Sequence, residues 1–320
     1  MKVSVVIPTY NSAKTIRATL DSVFAQTYRA DEILVYDDGS IDETISILRS
    51  YDESLKIFQG VHQGVANVRN ALCALAKGNY IAFLDHDDLW HPTYLEVQTN
   101  LFRKHPQAVA SFTGHLNFFG YGDYVWAGRP NELEGATRII EPLEFFEWYN
   151  RATGPFSSMS YCCIPKATLE RMGDQPFMVS GVDDSYLCYV LALLGPVVYK
   201  AEALVAYRVT HEAQSNNKLE AYGRWVEVFH ILQDRYKKQP DARLYRAFKK
   251  AFASKRRQYA KSLMGIARKA EARRELCRSL RTDSHAFSIF KSLTLLFLTG
   301  MPRILQPQWL PKYREVTRIH

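Results

Sequence analysis

No uninterrupted apolar stretch of the roughly 20 residues that a membrane-spanning helix needs occurs in this 320-residue chain. A G-x-G-x-x-G fingerprint is also missing, which argues against a dinucleotide-dependent oxidoreductase. The first apolar run ends in Pro8-Thr9-Tyr10-Asn11 rather than in a glycine-rich, basic phosphate loop, which argues against a nucleotidyltransferase. Cysteine is scarce. Of five, two are adjacent at Cys162 and Cys163 and none are in C-x-x-C spacing, the pattern of reduced buried thiols rather than of disulfides or zinc. Met1-Lys2 leads straight into an apolar run without a charged region and separate hydrophobic segment, so no secretory leader is read and a cytoplasmic protein is expected.

What is present is an alternation of short apolar runs with helical patterns. Val3 to Ile7, Glu32 to Tyr36, Leu55 to Phe58 and Tyr80 to Leu84 read as strands, rich in β-branched and aromatic residues. Between them, Ile16, Leu20, Val23 and Phe24 recur at helical spacing, as do Ile45, Leu48 and Tyr51, and a third helix is predicted from Val65 toward Lys77. Asn11 or Ser12 is placed to cap the first helix, and Ser40 with Glu43 forms an S-x-x-E capping box for the second. Four strands and three helices within about eighty residues predict an α/β fold with a parallel sheet covered on both faces. In such sheets ligands lie at the carboxyl ends of the strands, so Thr9, Asp37, Asp38, Asp85 and Asp87 are expected to converge there.

Two acidic clusters carry the chemistry. Asp85-His86-Asp87-Asp88 follows the fourth strand directly, and alternation along an extended chain lets Asp85 and Asp87 point to one side, an arrangement suited to a hard divalent cation and so to a diphosphate. The plainer reading is a solvated acidic turn. Asp183-Asp184 opens an apolar helix running to Leu194; its plainer reading is two acids favoured by the helix dipole.

The segments Val5-Val6-Ile7-Pro8-Thr9-Tyr10-Asn11, Asp37-Asp38-Gly39-Ser40, Gly64 to Arg69-Asn70, and Asp85-His86-Asp87-Asp88 with Trp90 together resemble the family 2 glycosyltransferases in order and spacing. The resemblance covers residues 1–95 and continues more thinly to about 217. It implies a GT-A nucleotide-diphospho-sugar transferase fold, a Rossmann-like mixed sheet flanked by helices. Residues 1–217 would form the catalytic domain, with nucleotide-sugar binding in 1–95 and the acceptor side and catalytic base in 96–217. Pro8, Thr9 and Tyr10 would flank the nucleobase, Asp38 would hydrogen-bond the base or nucleoside, Asp85 would face the ribose, and Arg69 would add positive charge near the donor. The metal, Mn2+ or Mg2+, falls to Asp87 or Asp88. Asp184 maps onto the family's catalytic base, with Asp183 standing where Glu is usual. Tyr207-Arg208-Val209-Thr210-His211 is similar to a Tyr-Arg-x-x-His segment, which makes His211 a further metal or phosphate ligand and Arg208 a partner for an acid or a phosphate.

The activity so implied is inverting, metal-dependent transfer of one sugar from a nucleotide-diphospho-sugar, a UDP-sugar first of all, to a glycan or lipid-linked acceptor in surface polysaccharide or lipopolysaccharide assembly. A catalytically degenerate binding protein is the alternative. A processive synthase fits less well: Arg224-Trp225 matches the end of that group's Gln-x-x-Arg-Trp motif, but Ala221 stands in place of Gln. Ten aromatics between Phe112 and Tyr149 are mostly core by base rate, with some available to stack on an acceptor sugar. Gly154 to Ser158 reads as a loop on the acceptor side.

Charge divides the chain further. Residues 1–217 carry 17 basic and 25 acidic side chains, residues 218–320 carry 24 and 8. The last third is therefore read as a separate basic helical region, with apolar faces from Leu219 to Leu232 and from Leu244 to Ile266. Phe287 to Leu298 is too short and interrupted to span a bilayer and is suited to lying in a membrane surface, so an anionic membrane on the inner face is an expected partner. Simple packing of these helices, with a solvated charged face, is the rival. No nucleic-acid module is recognised.

Overall fold

The computed structural model describes residues 1–51, 55–120, 136–150, 158–209, 217–283 and 286–300. His211, Tyr121, Tyr124, Trp126 and residues 154–157 lie outside the described residues. The chain divides into two compact units, Met1–Ala213 and Gln214–His320.

The first unit opens with β1 (Val3–Thr9), α1 (Ile16–Phe24), β2 (Glu32–Asp37), α2 (Thr44–Arg49), β3 (Lys56–Gln59), α3 (Val65–Leu75) and β4 (Tyr80–Phe83). It continues through β5 (Leu89–Trp90), α4 (Tyr94–Lys104), β6 (Ala110–Phe119), β7 (Thr137–Ile140), α5 (Pro142–Tyr149) and β8 (Cys162–Pro165). It closes with α6 (Lys166–Glu170), α7 (Asp183–Leu194) and β9 (Val197–Val209). Among the described residues these strands form one sheet in the order β3-β2-β1-β4-β8-β6-β9-β5, with β7 against β9. The four strands from β3 to β4 are mutually parallel, and β8 then pairs antiparallel with both β4 and β6. The sheet becomes mixed at β8, which lies between β4 and β6 and runs opposite to both.

Every residue of β1 is buried. That is why it reads as a continuous apolar run: both faces of a central strand are covered. Burying side chains such as Val5, Val6 and Ile7, all fully inaccessible, contributes roughly 1.5–3 kcal/mol each. Polar residues at the opposite end of the sheet from the site serve the fold. Against the cost of burial, Lys56, Ser4 and the Lys77 amide hold Glu32 at a pKa of about 2.

Two local expectations are corrected. The first helix begins at Ile16, and neither Asn11 nor Ser12 caps it through its side chain. Asn11 instead accepts from the Ile41 amide, and the Ser12 hydroxyl pairs with Thr9, tying the two strand-end loops together. Ser40 does not cap α2 either. Its hydroxyl donates to Asp37, while Asp42 accepts from the Thr44 amide at 3.0 Å at the start of that helix.

β9 runs parallel to β6 with a register shift around Gly114, where an added Cβ would meet the Glu202 carbonyl at 3.0 Å. The bulge lets one long strand follow β6 and also pair with the short β5, which directly follows the acidic turn.

The second unit contains α8 (Lys218–Lys237), α9 (Ala242–Gly265), α10 (Lys269–Thr282) and α11 (Ala286–Gly300). Val226, Phe229 and Leu232 of α8 meet Leu244, Phe248 and Phe252 of α9 in an aromatic-rich core in which Phe229 stacks on Phe252 at 5.2 Å. Ile266, expected on the apolar face of α9, is exposed. On α11, Leu295 is buried while Phe290, Leu293 and Phe297 are 67%, 52% and 69% exposed. No described helix is long and apolar enough to cross a membrane.

Candidate active site

Parallel register brings the strand ends together. Thr9 of β1 pairs with Asp37 of β2, the Asp38 amide donates to the Thr9 carbonyl at 2.9 Å, and β4 delivers Asp85 on the other side of β1. Pro8 and Thr9 are buried, so the surface at this edge is supplied by Tyr10, which is exposed and packs on His62 with ring centroids 4.4 Å apart.

Asp38 is almost fully buried and heavily used. One oxygen accepts from the Gln63 amide at 2.8 Å, and the other accepts from the Gly64 amide at 2.9 Å and lies 3.0 Å from His62 Nδ1. The carboxylate thus organises the loop between β3 and α3. Gly64 has φ +88, and a Cβ there would come within 2.9 Å of Ser180 Oγ, so only glycine suits this junction between the 60s loop and the segment leading to α7.

The acidic turn after β4 shows three carboxylates in three different states. Asp85 pairs with Arg69 through one oxygen and accepts from Ser158 Oγ at 3.2 Å through the other. Asp88 is fully buried. It accepts from Ser160 Oγ at 2.6 Å and from the Arg208 amide at 2.9 Å, which fastens the turn to both the 158–161 segment and β9. Asp87 is half-buried and its carboxylate accepts no hydrogen bond from another described residue. Burial and the neighbouring carboxylates raise the pKa of Asp88 well above the ordinary range, and burial raises that of Asp87.

The Arg208 guanidinium donates to the backbone carbonyls of Asp87 (2.8 Å) and Gly120, and lies 4.3 Å over the Phe118 ring. These contacts brace the outside of the turn. Trp90 braces it from below: its indole N–H donates to the Ser160 carbonyl at 2.9 Å, and the ring stacks on Tyr94.

Arg69 is the centre of the arrangement. Presented by the second turn of α3 and only 5% exposed, its guanidinium bridges Asp85 of the acidic turn and Asp183 at the start of α7. Burial opposes its charge, but the two carboxylates together raise its pKa above the ordinary arginine value. Asp183 is buried by this pair and also accepts from the Gly181 amide. Asp184 turns the other way. One oxygen accepts from the Ser185 amide at 2.6 Å, while Oδ2 accepts from no other described residue. Burial, reinforced by the charge of Asp183, pushes its pKa up to about 7. The chain reaches α7 through Val179, whose φ of +61 is an uncommon conformation for a β-branched residue.

Among the described residues no three side chains converge as a ready-made metal cage. A Mg2+-like ion does not need one, since it is commonly held by one or two carboxylates together with substrate phosphates. The unpartnered, accessible carboxylate of Asp87 fits that mode, whereas both oxygens of Asp88 are committed.

The sequence profile of glycosyl transferase family 2 matches residues 4–163. The chain belongs to that family. A protein of Rickettsia typhi named as an uncharacterized glycosyltransferase is 40% identical over 228 residues, covering 69% of each chain. The Escherichia coli protein WfaP, named as a UDP-Glc:alpha-D-GlcNAc-diphosphoundecaprenol beta-1,3-glucosyltransferase, is 36% identical over 128 residues, which are 39% of this chain and 49% of WfaP. In fold, the family 2 chain is similar to S. aureus TarS 1-349 crystallised with UDP-GlcNAc, at a TM-score of 0.68 and 16% identity over 93% of this chain and 90% of that one. The glycosyltransferase class and the GT-A architecture expected from the motifs are thereby shown.

Four residues of the site carry no motif of their own. His62, Ser158, Ser160 and Ser180 join it through contacts with Tyr10 and Asp38, with the acidic turn, and with the Gly64 junction. The Gly60 and Gly64 pair on either side of His62 is the sequence signal that marks a turn there.

Proposed function

We propose that this family 2 glycosyltransferase moves one sugar from a UDP-sugar to a glycan or lipid-linked acceptor in surface polysaccharide assembly, with inversion and with a divalent metal. The observation that carries the reading is Asp184: a half-buried carboxylate with one unpartnered oxygen and a pKa raised to about 7, coupled through Asp183 and Arg69 to the donor-side Asp85. A base is most effective with a pKa near the working pH. In a single displacement the acceptor oxygen bonds to the anomeric carbon, its proton passes to Asp184, and the nucleoside diphosphate leaves with the bonding pair. A single inversion at that carbon results. The acceptor named for WfaP is a lipid diphosphate, which supports the lipid-linked choice.

Tyr10 and His62 supply flat surfaces suited to the nucleobase, and the Asp38-held loop positions His62. Asp87, with the donor diphosphate, would hold Mn2+ or Mg2+, which when bound stabilises negative charge on the leaving group. The catalytic domain on this reading is residues 1–217. For the C-terminal region, 218–320, the exposed Phe290, Leu293 and Phe297 on a strongly basic unit favour shallow insertion into an anionic membrane surface.

The test is a transfer assay with UDP-glucose and UDP-N-acetylglucosamine on a lipid-diphosphate-linked acceptor, with the anomeric configuration of the product read by NMR. Inverted product formed only with Mn2+ or Mg2+ is expected. Retained configuration overturns Asp184 as base, and full activity in chelator overturns the metal. For the membrane face, flotation with anionic vesicles is expected for the parent and not for F290S/L293S/F297S. Equal flotation of both refutes the insertion.

A further inference from the structure

The second unit contains a half-open cavity of about 450 Å3 lined by residues of α8, α9 and α10. Its wall carries Lys249, Arg256, Arg278 and Arg281 beside the rings of Tyr245 and Phe252. We propose that this cavity is a binding site for a phosphate ester or diphosphate group, lined by residues other than those of the candidate active site and independent of the transfer reading.

The charge balance points to an anion. Arg256 and Arg278 both donate to a single carboxylate, Glu275, at 2.7 and 2.5 Å, so the three side chains together keep a net positive charge. Lys249 and Arg281 add to it. The other polar partner of Arg256 is His230, 2.6 Å away at Nε2. Burial and the neighbouring Arg256 lower the pKa of that histidine, so it serves as a neutral acceptor and brings no compensating negative charge.

Arg256 is also incompletely satisfied. It is 5% exposed, lines the cavity, and its Nε is buried without a hydrogen-bond partner among the described residues. A buried donor left unpaired is costly, and this one lies on a guanidinium that an oxyanion would satisfy.

Two of the cations rest on aromatic rings before any ligand arrives. The Arg256 guanidinium lies 4.2 Å from the Phe252 centroid and Lys249 Nζ lies 5.1 Å from that of Tyr245. Ring contacts of this kind fix a cation without neutralising it. The volume falls within the ordinary range of roughly 300–1,000 Å3 for small-molecule sites, and the aromatic wall offers apolar surface beside the charges. A phosphate group attached to an organic body suits both.

Two sources share that chemistry: a soluble phosphorylated compound and a lipid headgroup. The full chain is titrated calorimetrically in chelator with inorganic diphosphate and, separately, with a soluble short-chain phosphatidic acid. The comparison variants are K249A/R281A, which removes two cations at accessible positions, and K249R/R281K, which keeps the charge. Diphosphate affinity that falls about tenfold or more in the first variant and is kept in the second supports the site with a soluble ligand. The same pattern for phosphatidic acid alone supports it with a lipid headgroup. Binding of neither probe, or affinities equal in the parent and K249A/R281A, overturns the proposal.

Discussion

Replacing Arg69 by Met removes the cation that Asp85 and Asp183 share while keeping most of the apolar stem. Asp183, with its side chain 3% exposed, is then left charged in a nearly dry site with only the Gly181 amide beside it. Asp85, 24% exposed at the side chain and still bonded to Ser158, recovers part of its hydration. Breaking a buried pair by removing one partner costs about 3–5 kcal/mol, and the recovery at Asp85 puts this case near the lower end, about 3 kcal/mol. Urea unfolding of the full chain, followed by tryptophan fluorescence, measures it, and R69M/D183N should regain part of the loss. A deficit below about 1 kcal/mol, the scale of a surface pair, would show that Arg69 is not the keystone described.

Asp184→Asn should reduce kcat by about 100- to 10,000-fold while leaving donor binding intact. In the parent, activity should rise with pH through about 7, where Asp184 sheds its proton, and that limb should vanish in whatever activity D184N retains; an unchanged profile assigns the titration elsewhere. Asp87→Ala should abolish the metal-dependent thermal stabilisation by UDP. Asp88→Ala should instead lower stability by about 1–3 kcal/mol, because Ser160 and the Arg208 amide lose their acceptor; the opposite pattern would exchange the two roles. Gly64→Ala should weaken UDP binding and cost about 1–2 kcal/mol, since its φ of +88 and the Ser180 contact both oppose a Cβ, and an unaffected melting temperature would refute the argument.

Most of the first sheet was legible because its signals are local. The β1 run, the helical spacing of Ile16, Leu20 and Val23, and the Asp183 start of α7 each declare themselves within a few residues. Caps were less legible. Ser40 sits at the spacing of a capping box, but its oxygen accepts from the Asn11 amide at 2.8 Å while its hydroxyl donates to Asp37, so it serves the strand-end loops rather than the helix start. Partners separated by long stretches of chain were not legible at all. Ser160 and Asp88 are 72 residues apart, and Arg69 and Asp183 are 114 apart, so pairing them required the antiparallel return of β8 and the placement of α7. Arg69, for which the family resemblance implies a charge near the donor, is committed to two protein acids.

The two Asp-Asp pairs, 87–88 and 183–184, divide their labour in the same way. In each, one member is immobilised by the protein: Asp88 by Ser160 and the Arg208 amide, Asp183 by Arg69. The other member is left with an uncommitted oxygen, the property expected of a group kept for a ligand or a proton. An unpartnered carboxylate in a half-buried position is costly, and it is tolerable here because the immobilised neighbour and its cation hold the backbone that carries it. The sequence pattern D-D alone does not say which acid is which. The hydrogen-bond inventory separates them: Asp87 and Asp184 keep an uncommitted oxygen while Asp85, Asp88 and Asp183 have partners within the protein, and it is this difference that supports the roles proposed for Asp87 and Asp184.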